Sequence, residues 1–161
     1  MTKNDICCPK FDPNIWDERT TIWEDKMFVT ESVPQFLHMP LPGVYGKAIT
    51  KMITAIEGAN ARTGDIEFLM LAQDPSPWRS NLYVNTTKEV LGLNNVKLSG
   101  KYLSKVFDGP YQDVPKYMKE MESYTAGKGE VAQDYYFYYT YCPKCSKKYG
   151  HNYIVVFAKL K

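Results

Sequence analysis

The sequence predicts an α+β fold, a tandem duplication of a β-α-β-β unit in which two main helices cover one face of an antiparallel sheet. Three observations predict it. Apolar residues recur at helical spacing twice, at Ile49, Met52, Ile53 and Ile56 and again at Val114, Tyr117, Met118 and Met121. Each stripe follows a Gly-x-Tyr turn, Gly43-Val44-Tyr45 and Gly109-Pro110-Tyr111, 66 residues apart. Each is flanked by runs rich in Val, Ile, Thr and Tyr, the composition of strands.

Taken in order, residues 1–27 read as an N-terminal arm with a short helical turn around Asn14–Glu18, anchored by Phe11, Trp16 and Trp23. The first repeat spans 28–93. A strand near Phe28–Met39 ends before the Pro42-Gly43 turn, and the first helix is stopped between Gly58 and Gly64. Ile66–Gln73 reads as a short strand, Asp74-Pro75-Ser76-Pro77 as a loop because two prolines remove donors, and Asn81–Val90 as the returning strand. The second repeat spans 94–161. Val96–Phe107 is a strand, Gly127 and Gly129 end the second helix, Tyr135–Tyr141 is a strand, Cys142-Pro143-Lys144-Cys145 a loop, and Tyr153–Leu160 closes the sheet.

A chain of 161 residues suits a single domain. Its net charge of +2, without a basic stripe, argues against nucleic acid as the main partner. No run approaches the roughly 18 apolar residues that span a membrane, and Met1–Pro13 contains no apolar leader. The expected location is therefore cytoplasmic, with reduced cysteines and no membrane partner.

Aromatic residues are abundant, at 13 Tyr, 7 Phe and 3 Trp, and rings of this kind wall apolar pockets. On the Tyr135–Tyr141 strand alternate side chains point oppositely, so Tyr135, Phe137 and Tyr139 form one wall. With helices on the other face, this wall is the expected ligand face, joined by Tyr102, Tyr111 and Trp78. Glu67, read as a carboxylate inside an apolar strand, would be pushed by desolvation toward the range of a general base, or would attract a cationic ligand. The alternatives are a solvent-exposed strand end for Glu67 and simple packing for the tyrosines. Cys142-x-x-Cys145, with His151 six residues on, has zinc-site spacing that Cys7 or Cys8 would complete. A redox pair and incidental thiols are the competing readings. The motif is read as joining two strands, without the helix N-terminus that activates a redox thiol. His38 reads as a packed or surface residue. No phosphate loop, nucleophile elbow or metalloprotease helix is present, so no cofactor is required and zinc is the only candidate ion.

Phe107-Asp108-Gly109-Pro110-Tyr111 followed by a helix resembles the G-P-Y signature of GyrI-like domains, over about residues 28–161. Asp74-Pro75-Ser76-Pro77-Trp78 falls where such proteins carry a D-P loop. The resemblance implies two β-α-β-β units about a pseudo-two-fold axis, with a small molecule bound in the groove between them. Cys7-Cys8-Pro9-Lys10-Phe11-Asp12-Pro13 and the later Cys-Pro-Lys-Cys are similar to a subgroup often labelled hydrolase, here in its stand-alone form. The expected function is binding of a small hydrophobic, cationic or reactive molecule. The alternatives are hydrolysis of a reactive molecule by Glu67, and inhibition of a protein by docking, as the family's namesake does with a topoisomerase.

Overall fold

Strand β1 (Arg19–Phe36) starts inside the segment expected to be an arm, because Thr20, Thr21, Ile22 and Trp23 are β-formers and Trp23 is buried. A computed structural model describes residues 8–161. The expected helical turn is a single 3-10 turn, Pro13–Ile15, capped by the Asp12 side chain, which accepts from Asn14 N–H.

Ten further elements or parts complete the mixed α+β architecture: β2 (Met39–Pro40), α1 (Val44–Gly58), β3 (Met70–Ser76), β4 (Arg79–Asn85), β5 (Asn94–Asp108), a 3-10 turn at Tyr111–Asp113, α2 (Val114–Gly127), β6 (Ala132–Tyr139), α3 (Pro143–Tyr149) and β7 (Tyr153–Leu160). The order strand, helix, strand, strand thus occurs twice, with the two-residue β2 added in the first and α3 in the second. The chain forms two compact units, Trp23–Ser99 and a second made of residues up to Ile22 with Gly100–Lys161.

In the first unit β1 pairs antiparallel with β4, Phe28–Pro34 against Asn85–Arg79, and β4 with β3. α1 buries Ala48, Met52 and Ile56, one stripe at i, i+4, i+8. Its position over β1 is marked by the Lys51–Glu31 ion pair at 3.1 Å and by the Tyr45 hydroxyl donating to Gln35 Oε1 at 3.3 Å. β1 does not run on to Met39. Leu37 and His38, at φ 48° and 64°, make a two-residue hairpin turn into β2, so His38 sits in a turn. The chain also stays extended through Asp74–Ser76. A register shift between Gln73 and Ser76 takes Pro75 out of the ladder, where its missing N–H costs nothing.

In the second unit β7 is central, flanked by β5 and β6 in antiparallel register. α2 buries Tyr117, Met121 and Thr125 against Leu103, Phe107, Ile154, Val156 and Ala158. The Cys142–Cys145 segment is not a loop. Cys142 caps the short helix α3, Pro143 occupies its first turn, and Gly150, at φ 73°, ends it in the left-handed conformation.

Candidate functional site

The second unit brings together three groups of chemistry-bearing side chains. The first is aromatic. Tyr135, Phe137 and Tyr139 lie opposite Ala158, Val156 and Ile154 of β7, and all three are half-buried against the core beneath α2. The helix therefore shares their face, where it was expected on the other. The reason is that β7 presents Ile154, Val156 and Ala158 to α2, and antiparallel register fixes which β6 residues join them. Phe137 and Tyr139 stack at 6.3 Å with planes 9° apart, and Tyr111 adds its ring 5.5 Å from Tyr139. Tyr111 remains 38% exposed, so the row reaches solvent at that end. Burial and then the Glu122 charge raise the Tyr135 phenol, keeping it neutral.

The opposite face of β6 belongs to packing. Tyr136 meets Tyr102, which is wholly buried, at 6.2 Å, and Tyr138 meets Phe11 at 5.9 Å. Tyr102, expected at the ligand face, is instead a core ring. Burial, then Cys8 and Tyr141, push the Tyr138 hydroxyl above the ordinary phenol range.

The second group surrounds a cavity of about 600 Å³, walled by Phe11, Tyr141, Tyr149 and Tyr153, with Lys148 and His151 among its lining residues. His151 Nδ1 lies 2.7 Å from Asp108 Oδ2, while Asp108 Oδ1 accepts from Asn152 N–H at 2.9 Å. Burial acts to raise the Asp108 carboxyl. The Asn152 hydrogen bond and the His151 hydrogen bond and charge outweigh it, and the net shift is downward. The ring of His151 stacks on Tyr153 at 4.9 Å. His151 thus belongs to this dyad and stands outside the thiol cluster it was expected to complete.

The third group is that cluster. The sulfurs of Cys8, Cys142 and Cys145 all lie within 4.8 Å of one another. Cys142 N–H points at Cys8 Sγ and Cys145 N–H at Cys142 Sγ, each at 3.4 Å. The segment carrying Cys8 is held by two further bonds, Tyr149 hydroxyl to Cys8 O at 3.0 Å and Phe11 N–H to Tyr141 hydroxyl at 2.8 Å. Cys7 lies outside the described residues. Among the described residues, Cys8 is the N-terminal cysteine whose sulfur stands with those of Cys142 and Cys145.

Two expected residues belong to the first unit. Glu67 is exposed in the turn Asp65–Glu67, ahead of β3 and not inside a strand. The carboxylate therefore stands in solvent, not among the apolar residues of a strand. The turn is fixed by Asn85, which is 2% exposed: Oδ1 accepts from Leu69 N–H and Nδ2 donates to Glu67 O, both at 2.8 Å. Trp78, 54% exposed in the β3–β4 turn, meets the equally exposed Phe36 edge-on at 5.7 Å. The site residue missed from sequence is Asp108. Its signal was its place immediately before Gly109, where a side chain accepting from Asn152 closes the strand end.

Among the described residues no helix is long and apolar enough to cross a membrane. No curated protein matches the chain. Its fold is similar to that of a hydrolase from Listeria innocua, at 11% identity and a TM-score of 0.65, covering 90% of this chain and 92% of that one. The EcmrR C-terminal domain is similar at 8% identity and 0.67, covering 91% and 98%. The structure of SAV2435 bound to tetraphenylphosphonium is similar at 12% identity and 0.55, covering 90% and 94%. The sequence itself matches the profile of one family, described as bacterial hydrolase, over residues 1–160, and the chain belongs to that family.

Proposed function

We propose that this protein binds a small apolar molecule, a lipophilic cation in preference to an anion, on the aromatic row Tyr111–Tyr139–Phe137. The observation that carries the reading is the row itself: three adjacent rings, half-buried or exposed, with spacings of 5.5 and 6.3 Å. Aromatic faces offer dispersion area and a negative quadrupole, and a cation over such a face gains about 0.5–2 kcal/mol. The acids Asp113 and Glu122 lie on the turn and helix that border the row. The resemblance to GyrI-like domains and the fold shared with a tetraphenylphosphonium-bound protein support the same reading.

Tetraphenylphosphonium titrated calorimetrically into the protein tests it. Tyr139→Leu keeps apolar volume but removes the ring, and should weaken binding about tenfold, the equivalent of one lost cation–π contact. Unchanged affinity in Tyr139→Leu, or none in the parent, would rule the reading out.

A second reading, hydrolysis, is favoured by one specific arrangement. An imidazole oriented by a carboxylate borders a cavity, the geometry of a general base. His151 takes the role expected of Glu67. The check is turnover of an activated ester by the parent and by His151→Gln: equal rates eliminate His151 as a base.

A further inference from the structure

Beyond the small-molecule reading, we propose that Cys8, Cys142 and Cys145 form a thiolate site for one zinc ion, which fastens the N-terminal segment to the β6–α3–β7 hairpin. Three sulfurs from positions 8, 142 and 145 converge within 4.8 Å although the first is far from the others in sequence. With Zn–S near 2.3 Å, ligand sulfurs in a tetrahedral site stand about 3.8 Å apart. The observed spacing is thus within about 1 Å of a coordinated one.

Against the sequence expectation, Cys142 and Cys145 stand at the N-terminus of α3, a position that also suits a redox pair, and it is the third sulfur, Cys8, that favours a metal. Backbone N–H groups of Cys142 and Cys145 point at Cys8 Sγ and Cys142 Sγ, the donors that stabilise ligating sulfur. A disulfide between Cys142 and Cys145 would use two of the sulfurs and leave the convergence of Cys8 unexplained. Cys145 is fully buried, which shields it from exchange with external thiols. Binding converts three thiols to thiolates and releases three protons, so Zn²⁺ plus three S⁻ leaves a charge of −1. Lys144, Lys147 and Lys148 on α3 supply positive charge beside it. A tetrahedral ion takes one further ligand.

The test uses the full chain, reduced and freed of metal, titrated with Co²⁺ as a spectroscopic substitute and then with Zn²⁺. The expected result is one Co²⁺ per chain, with thiolate-to-cobalt charge transfer and the d–d bands of a tetrahedral ion, displaced by Zn²⁺. Cys8→Ser retains an acceptor for Cys142 N–H and is only half-buried, so it should fold. It should weaken Co²⁺ binding at least about a hundredfold, and zinc should raise the Tm of the parent but not of this variant. Cys142→Ser should behave likewise. A parent with no tetrahedral cobalt spectrum, or variants that bind as tightly as the parent, would overturn the proposal. So would recovery of the untreated protein with a Cys142–Cys145 disulfide and no metal.

Discussion

The hydroxyl of Tyr117 occupies the space that a β-carbon on Gly109 would need. The same hydroxyl donates to Pro110 O at 3.3 Å, and Asn152 grips Gly109 from the other side through Nδ2 to its carbonyl at 2.6 Å. The Gly-Pro-Tyr turn is therefore glycine at its first position for steric reasons, with no unusual φ required.

Gly109→Ala should destabilise the protein by about 2 kcal/mol through overpacking. Tyr117→Phe should cost about 1 kcal/mol for the lost hydrogen bond. Combined, the two should cost less than their sum. The recovery is partial, since the ring carbon Cζ would still lie 3.3 Å from the new methyl. Urea denaturation of the four proteins measures this coupling, and strict additivity would refute the contact.

Asp108→Asn probes the dyad through pH. The folded carboxyl titrates below its ordinary value of 3.8, so its contribution is present above that value and fades as pH falls through the folded pKa. The carboxylate is 45% exposed, so screening limits the effect to about 1 kcal/mol or less at pH 7. The stability gap between parent and variant should close in acid, below about pH 4. A gap that is constant from neutral to acid pH would argue against a charged Asp108 as its source.

Leu37 occupies the left-handed region at φ 48°, while 56% exposed. Leu37→Asn fits the two-residue turn better and should stabilise by about 0.5–1 kcal/mol, read as a higher denaturation midpoint.

Asn85→Leu removes three side-chain hydrogen bonds at once: from Leu69 N–H, from the Thr63 hydroxyl and to Glu67 O. The cost should be about 2–4 kcal/mol, because Leu69 N–H loses its bonding partner in a buried setting. Hydrogen exchange at Leu69 should accelerate relative to the parent.

The two long helices, α1 and α2, and the order of elements around them were legible in the sequence, because an amphipathic stripe reports which residues face a core. Glu67 and Pro75 were not. Glu67 sits beside Phe68 and Leu69 in sequence, yet the buried amide of Asn85, 18 residues away, holds that stretch in a turn. Pro75 is tolerated in a strand because the register shifts around it. The helix α3 was hidden for another reason: Lys144-Cys145-Ser146-Lys147-Lys148 has no apolar stripe. Only its ends speak, with Pro143 at the start and Gly150 at the stop. The face of Tyr135, Phe137 and Tyr139 was misjudged because strand alternation says which residues share a side, not which side a helix covers.

The second compact unit is discontinuous in the chain, closed by bonds from Cys8 and Phe11 to Tyr149 and Tyr141. A ribosome completes Trp23–Ser99 long before it makes those tyrosines. Cys8 and Phe11 are made early yet are among the last residues of this unit to be seated, since they wait for Tyr141 and Tyr149 across a loop of more than a hundred residues. Folding of the second unit should therefore finish only once its C-terminal strands have been made. Loss of the last two strands would strand the N-terminal segment without a docking partner, however intact its own sequence.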